Sequence, residues 1–161
     1  MDLTFRMREG TFNFRVAAVI INDGKLLIMQ DTQSPYWYLP GGRVHLQERA
    51  EDALRRELQE ELGVTAKIGR PLWLVQNFYQ EDVNREHYHE LGLYVLVDVT
   101  DTDLLKRGET FVTTEAEQTN TFRWVDFADL KNKYLYPLFI KQEIFHLPDS
   151  LQLITEVRKS I

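Results

Sequence analysis

No cysteine occurs among the 161 residues. That absence excludes disulfides, thiolate metal centres and cysteine nucleophiles together. Positive charge is also short, with 19 Lys and Arg against 25 Asp and Glu and a net charge of −6. Nothing in that balance attracts a nucleic-acid polymer or an anionic membrane surface. No apolar run approaches the roughly 20 residues of a membrane span. The N-terminus, Met1-Asp2-Leu3-Thr4-Phe5-Arg6, shows no basic segment followed by an apolar core, so no signal peptide is expected and a cytoplasmic location is the default. Low-complexity segments, internal repeats and linkers are missing too. The expectation is one domain over residues 1–161 with a single core.

What is present concentrates in one stretch. Pro40-Gly41-Gly42 leads into Glu48, then into a segment rich in Ala, Leu, Glu and Arg without internal Gly or Pro. Residues 48–62 therefore read as a helix, with Ala50, Ala53, Leu54, Leu58 and Leu62 as its apolar stripe. Gly63 suits the left-handed position that ends helices. Helical spacing brings Glu57, Glu60 and Glu61 to neighbouring positions. Like charges so close are best tolerated around a cation, and oxygen-only donors suit a hard one such as Mg²⁺ or Mn²⁺. The bland alternative is a solvated acidic face.

The remaining chain reads mostly as strands. Phe12–Ile21 ends in an unbroken apolar run, and Asn22-Asp23-Gly24 is a hairpin signal before a return strand at residues 25–30. A short strand is expected over residues 37–39, one or two over 64–80, an alternating one over 87–99 and a last one over 121–125. Residues 100–120 read as a long loop with room for a short turn of helix near Leu104-Leu105, 126–130 as a short helix, and 138–145 and 149–159 as C-terminal helices. This order implies an α/β fold, a mixed sheet packed between helices on its two faces.

Gly42, Glu48, Arg56, Glu57, Leu58, Glu60, Glu61, Gly63 and Val64 stand at the spacing Gly, five residues, Glu, seven residues, Arg-Glu-apolar-any-Glu-Glu-any-Gly-apolar. This stretch resembles the Nudix box at every defined position. The resemblance covers residues 42–64 and implies an α/β/α sandwich that hydrolyses a nucleoside diphosphate linked to another group. Water would attack a pyrophosphate phosphorus with Mg²⁺ or Mn²⁺ bound. Carried over by position, Glu57, Glu60 and Glu61 are metal ligands, joined by the backbone carbonyl of Gly41 or Gly42. Arg56 becomes a buttress pairing with Glu48. In some members a proton acceptor comes from a distant loop, and Glu117 is the preferred position here, with Glu115 and Glu90 as alternatives. Trp37 and Tyr79 are candidates to stack on a base, Arg15 and Arg43 to clamp a phosphate, and His45 to touch one. His87 and His89 lack a third ligand for zinc. The substrate is expected to be a small nucleotide-type molecule, and a homodimer is compatible with the family. The rival expectation is a non-catalytic Nudix domain that binds a nucleotide or sugar nucleotide.

Overall fold

The computed structural model describes residues 1–158. β1 (Thr4–Met7), β2 (Gly10–Asn22), β3 (Lys25–Asp31) and β4 (Gly41–Arg43) precede α1 (Ala50–Leu62). β5 (Lys67–Gln80), β6 (His87–Asp98), β7 (Thr110–Glu115), β8 (Gln118–Asp126), α2 (Ile140–Glu143) and β9 (Gln152–Val157) follow. Strands join in the order β7-β8-β3-β2-β6-β5-β9, with β1 and β4 also on β2. β2–β6 and β5–β9 are parallel and the other pairs antiparallel, so the sheet is mixed. One buried cluster joins Leu54, Leu58 and Leu62 of α1 to Val16, Ala18 and Ile20 of β2. A second, on the opposite face, joins Ala17 and Val19 to Leu130, Leu135, Ile140 and Ile144. The strict alternation of neighbours on β2 between the two clusters explains why its apolar run is continuous.

The feature that positions the site is a divergence. β2 and β3 pair only at Ile21–Leu26 and Asn22–Lys25, beside the Asp23-Gly24 turn. Beyond the turn they separate, and β4 takes the freed edge of β2 at Arg15–Ala17. The gap becomes a cavity of about 650 Å³.

Three expectations need correction. β9 replaces a helix expected over 149–159, whose last position lies outside the described residues. Ile154, Thr155 and Val157 are β-branched, and the segment alternates: Ile154 and Glu156 turn inward while Leu153 and Val157 stay exposed. The helix expected over 138–145 shortens to the four residues of α2. The loop expected over 100–120 has its helical turn at Leu104–Lys106, as a 3₁₀ turn, but also contains β7, whose Phe111, Thr113 and Glu115 turn partly inward. Threonines on a half-exposed strand look like loop polarity in the sequence. α1 also starts two residues late, because Gln47 takes a positive φ and Glu48 faces back to the loop. No helix among the described residues is long and apolar enough to cross a membrane.

Candidate active site

Glycine sets the floor under the acids. Gly41 takes φ 151°, and a Cβ there would run into the Val16 carbonyl across the β2–β4 pair. A Cβ on Gly42 would sit inside the Glu57 carboxylate. Two glycines therefore let α1 press its carboxylates onto the loop backbone. The Gly41 amide donates to Glu61 Oε1 at 2.9 Å. Both Glu57 and Glu61 line the cavity.

Arg56 ties this arrangement together. Its Nε and Nη2 donate to the two Glu48 oxygens at 3.0 Å each, its Nη1 to Glu57 Oε1 at 2.7 Å, and its Nη2 also to the Arg43 carbonyl at 3.1 Å. Glu48 further accepts the His45 amide. These bonds, the Arg56 pair foremost, hold the Glu48 carboxyl down at about 2. Glu60 is different: it is 45% exposed and lies 3.7 Å from Arg56.

Burial pushes the Glu61 carboxyl well above its ordinary range; Arg15 opposes the shift, and Glu57 and Glu115 add to it. Burial raises Glu57 as well, against the pull of Arg56. Two desolvated acids one helical turn apart carry more negative charge than their surroundings neutralise. Arg15 is the nearest compensation. It is half-buried, donates through Nη2 to the Leu39 carbonyl at 2.6 Å, and lies over the Tyr38 ring.

Of the residues singled out by sequence, Arg15, Gly41, Gly42, Arg43, Glu57, Glu61 and Tyr79 line one cavity. Trp37 packs into the second core cluster instead; its neighbours Tyr36 and Tyr38 face the cavity. Glu117 is exposed in the tight turn between β7 and β8, next to Ala116 at φ 52°. Glu115, two residues earlier on β7, lines the cavity. His45 pairs with Asp2 at 3.1 Å, and His89 packs against Phe12 and Phe78. Sequence reading missed Asn13, Asn77, Tyr136 and Arg158, which also line the cavity. For Asn13 and Asn77 the signal was polarity at inward positions of strands, visible only once register is known; Tyr136 and Arg158 lie outside strands and carried none.

The donor set is all oxygen, and the cradle at Gly42 holds a carboxylate where a side chain would otherwise stand, which fits a hard divalent cation. Among the described residues, no three His, Asp or Glu are already gathered at metal-binding distances. Arg56 and the Gly41 amide occupy the carboxylates in their place.

Fold and cavity together define a mixed α/β domain that presents helical carboxylates and a half-buried arginine to a polar, small-molecule-sized cavity. The model of the NUDIX domain matches residues 11–143, and the chain belongs to the Nudix family. A nucleoside triphosphatase, NudI, of Escherichia fergusonii is 47% identical over 132 residues, covering 77% of this chain and 86% of that protein. A CTP pyrophosphohydrolase of Escherichia coli is 45% identical over 58 residues, 34% of this chain and 43% of that protein. The chain spans about half the length of several other curated relatives it matches, 53% and 57% in two cases. A NUDIX hydrolase structure from Nitrosomonas europaea superposes with TM-score 0.64 over 94% of this chain and 81% of that one. At 15% identity it shows the fold alone.

Proposed function

We propose that the chain hydrolyses a pyrophosphate bond in a nucleotide derivative, using Mg²⁺ or Mn²⁺ held by Glu57 and Glu61, with Glu60 and the Gly41 carbonyl as further oxygen donors. The observation that carries this reading is the pressing of two desolvated carboxylates onto the Gly41-Gly42 backbone inside a cavity. A bound divalent cation would supply charge neutralisation for the phosphates and acidify the attacking water. The chain's own residues supply the rest. Arg56 and Glu48 hold the loop against α1. Arg15, half-buried and within the electrostatic reach of Glu90 and Glu61, offers the positive charge that a phosphate oxygen needs. Glu115 replaces Glu117 as the proposed proton acceptor for water, because it faces the cavity and Glu117 does not.

A panel of nucleoside triphosphates, sugar nucleotides and dinucleoside polyphosphates, with either cation and products scored by mass, tests the reading. At least one member should be split at a pyrophosphate bond. Glu57→Gln should lower kcat by about 100-fold or more, and Glu115→Gln by roughly 10- to 100-fold, within the range for general bases. Glu117→Gln should match the parent. Silence across the panel favours the non-catalytic, nucleotide-binding alternative.

A further inference from the structure

Away from the acids, the cavity floor is a polar row. Asn13 on β2 pairs with Glu90 on β6, Glu90 with Asn77 on β5, and Asn77 with Glu156 on β9. Direct cross-strand partners share one face of a sheet. Four buried polar side chains thus stand in line across four adjacent strands. Glu156 is fully engaged, accepting the Leu138 and Phe139 amides at 3.0 and 2.6 Å. The other three line the cavity.

Glu90 accepts from Asn13 and from the Tyr79 hydroxyl, but the two asparagines are incompletely satisfied. Asn13 Nδ2 donates to Glu90 Oε2 at 2.7 Å. A carboxylate oxygen accepts, so that bond fixes the Asn13 amide and leaves its Oδ1 turned away. Asn13 Oδ1 has no hydrogen-bond partner, and neither has Asn77 Oδ1. Both residues are more than nine-tenths buried. One step along the sheet, Tyr79 stacks on Tyr88 with centroids 5.2 Å apart. The Arg158 guanidinium lies 4.2 Å from the Tyr79 ring centroid and 3.5 Å from that of Tyr136. Its Nε and Nη1 are buried without a partner. Orphaned buried polar atoms are costly to leave unpaired, and several gathered in one chamber call for a ligand that completes them.

Their chemistry selects that ligand. A phosphate offers oxygens that accept, and the floor presents a carboxylate and two amide oxygens that also accept. The floor therefore requires N–H donors, while Arg158 requires an oxygen or ring nitrogen beside them. We propose that Asn13, Glu90, Asn77 and Arg158 read the hydrogen-bonding edge of a nucleobase that carries an exocyclic amine. The amine, joined in guanine by the ring N–H, donates to the floor, and a carbonyl or ring nitrogen accepts from Arg158. A uracil edge, with one N–H between two carbonyls, sets acceptors against acceptors. The proposal rests on the reading of the substrate as a nucleotide, and it assigns the base-selecting end of that site.

Calorimetric titration without divalent cation, using AMP, GMP, CMP, UMP and ribose 5-phosphate, tests it apart from catalysis. At least one amine-bearing nucleotide should bind 10-fold or more tightly than both UMP and ribose 5-phosphate. Arg158→Gln and Asn77→Ala should each erase most of that margin and leave ribose 5-phosphate binding unchanged. The wild-type series decides the matter even where a variant fails to fold. UMP binding as tightly as the others, no gain over ribose 5-phosphate, or a margin intact in both folded variants would overturn the assignment. Base-dependent binding without hydrolysis of any pyrophosphate sustains this inference while sinking the catalytic reading. Hydrolysis without base selectivity does the reverse.

Discussion

Glu61 concentrates the conflict between folding and chemistry. Its carboxyl is buried, and burial raises its pKa far above the 4.5 of a free glutamate. A group whose folded pKa is raised contributes stability below its unfolded pKa, and that contribution is lost as pH rises through the folded value. At neutral pH the charged form therefore works against the fold unless a cation arrives. Glu61→Gln keeps an oxygen for the Gly41 amide and removes the charge. In chelator, at pH 7–8, the variant should be more stable than the parent by on the order of 1 kcal/mol, about 3 °C in Tm. Mg²⁺ should then raise the parent's Tm with concentration, as mass action requires, and leave the variant's unmoved. Equal Tm values in chelator, or equal Mg²⁺ responses, would remove Glu61 from the metal site. Its neighbour Glu60 is instead 45% exposed beside Arg56.

The loop and α1 act as one element because Arg56 and Glu48 staple them. Glu48 sits at about 2, below its free value of 4.5, chiefly through the Arg56 bonds. A depressed carboxyl stabilises above its unfolded pKa, and the contribution fades as pH falls from about 4.5 through about 2. At 18% side-chain exposure the staple is partly screened, so roughly 1 kcal/mol is a fair magnitude. Glu48→Gln should be less stable than the parent in urea at pH 7, with the difference shrinking steadily below pH 4.5. A gap constant down to pH 2.5 would show that the ion pair does not carry it. This staple was legible in sequence because its spacing is local: Glu48 and Arg56 lie eight residues apart at the start of one helix. Asn13 and Asn77 were not, since each is polar in a strand whose inward face is set by partners about 80 residues away; nor was Arg158, which follows β9 and is placed by the bond from its amide to the Phe78 carbonyl. β9 itself was read as a helix. Its parallel place beside β5 depends on Leu74, Val75 and Gln76, far from it in sequence.

The cavity belongs to the molecule as a whole, since residues from Asp2 to Arg158 line it. Its acid end hangs on α1 and the glycine loop, and its opposite end on strands that the last segment completes. Glu156 couples that last segment to the rest. By accepting the Leu138 and Phe139 amides it ties β9 to the turn that carries Tyr136 and Pro137 against the cavity. Asp82, on the β5–β6 turn, accepts the Tyr134 and Tyr136 hydroxyls and fastens the same wall from the other side. Glu156→Ala would leave two amides short of partners, costing about 1–3 kcal/mol. It should also loosen the Tyr136–Arg158 wall without touching Glu57 or Glu61. The expected signature is a lower Tm, a raised KM for the best nucleotide substrate by several-fold, and a kcat within about twofold of the parent. Such a split follows when binding common to ground and transition state is lost. A fall in kcat with KM unchanged would mean that β9 supports the chemistry itself, and that the two ends of the cavity are not mechanically separate.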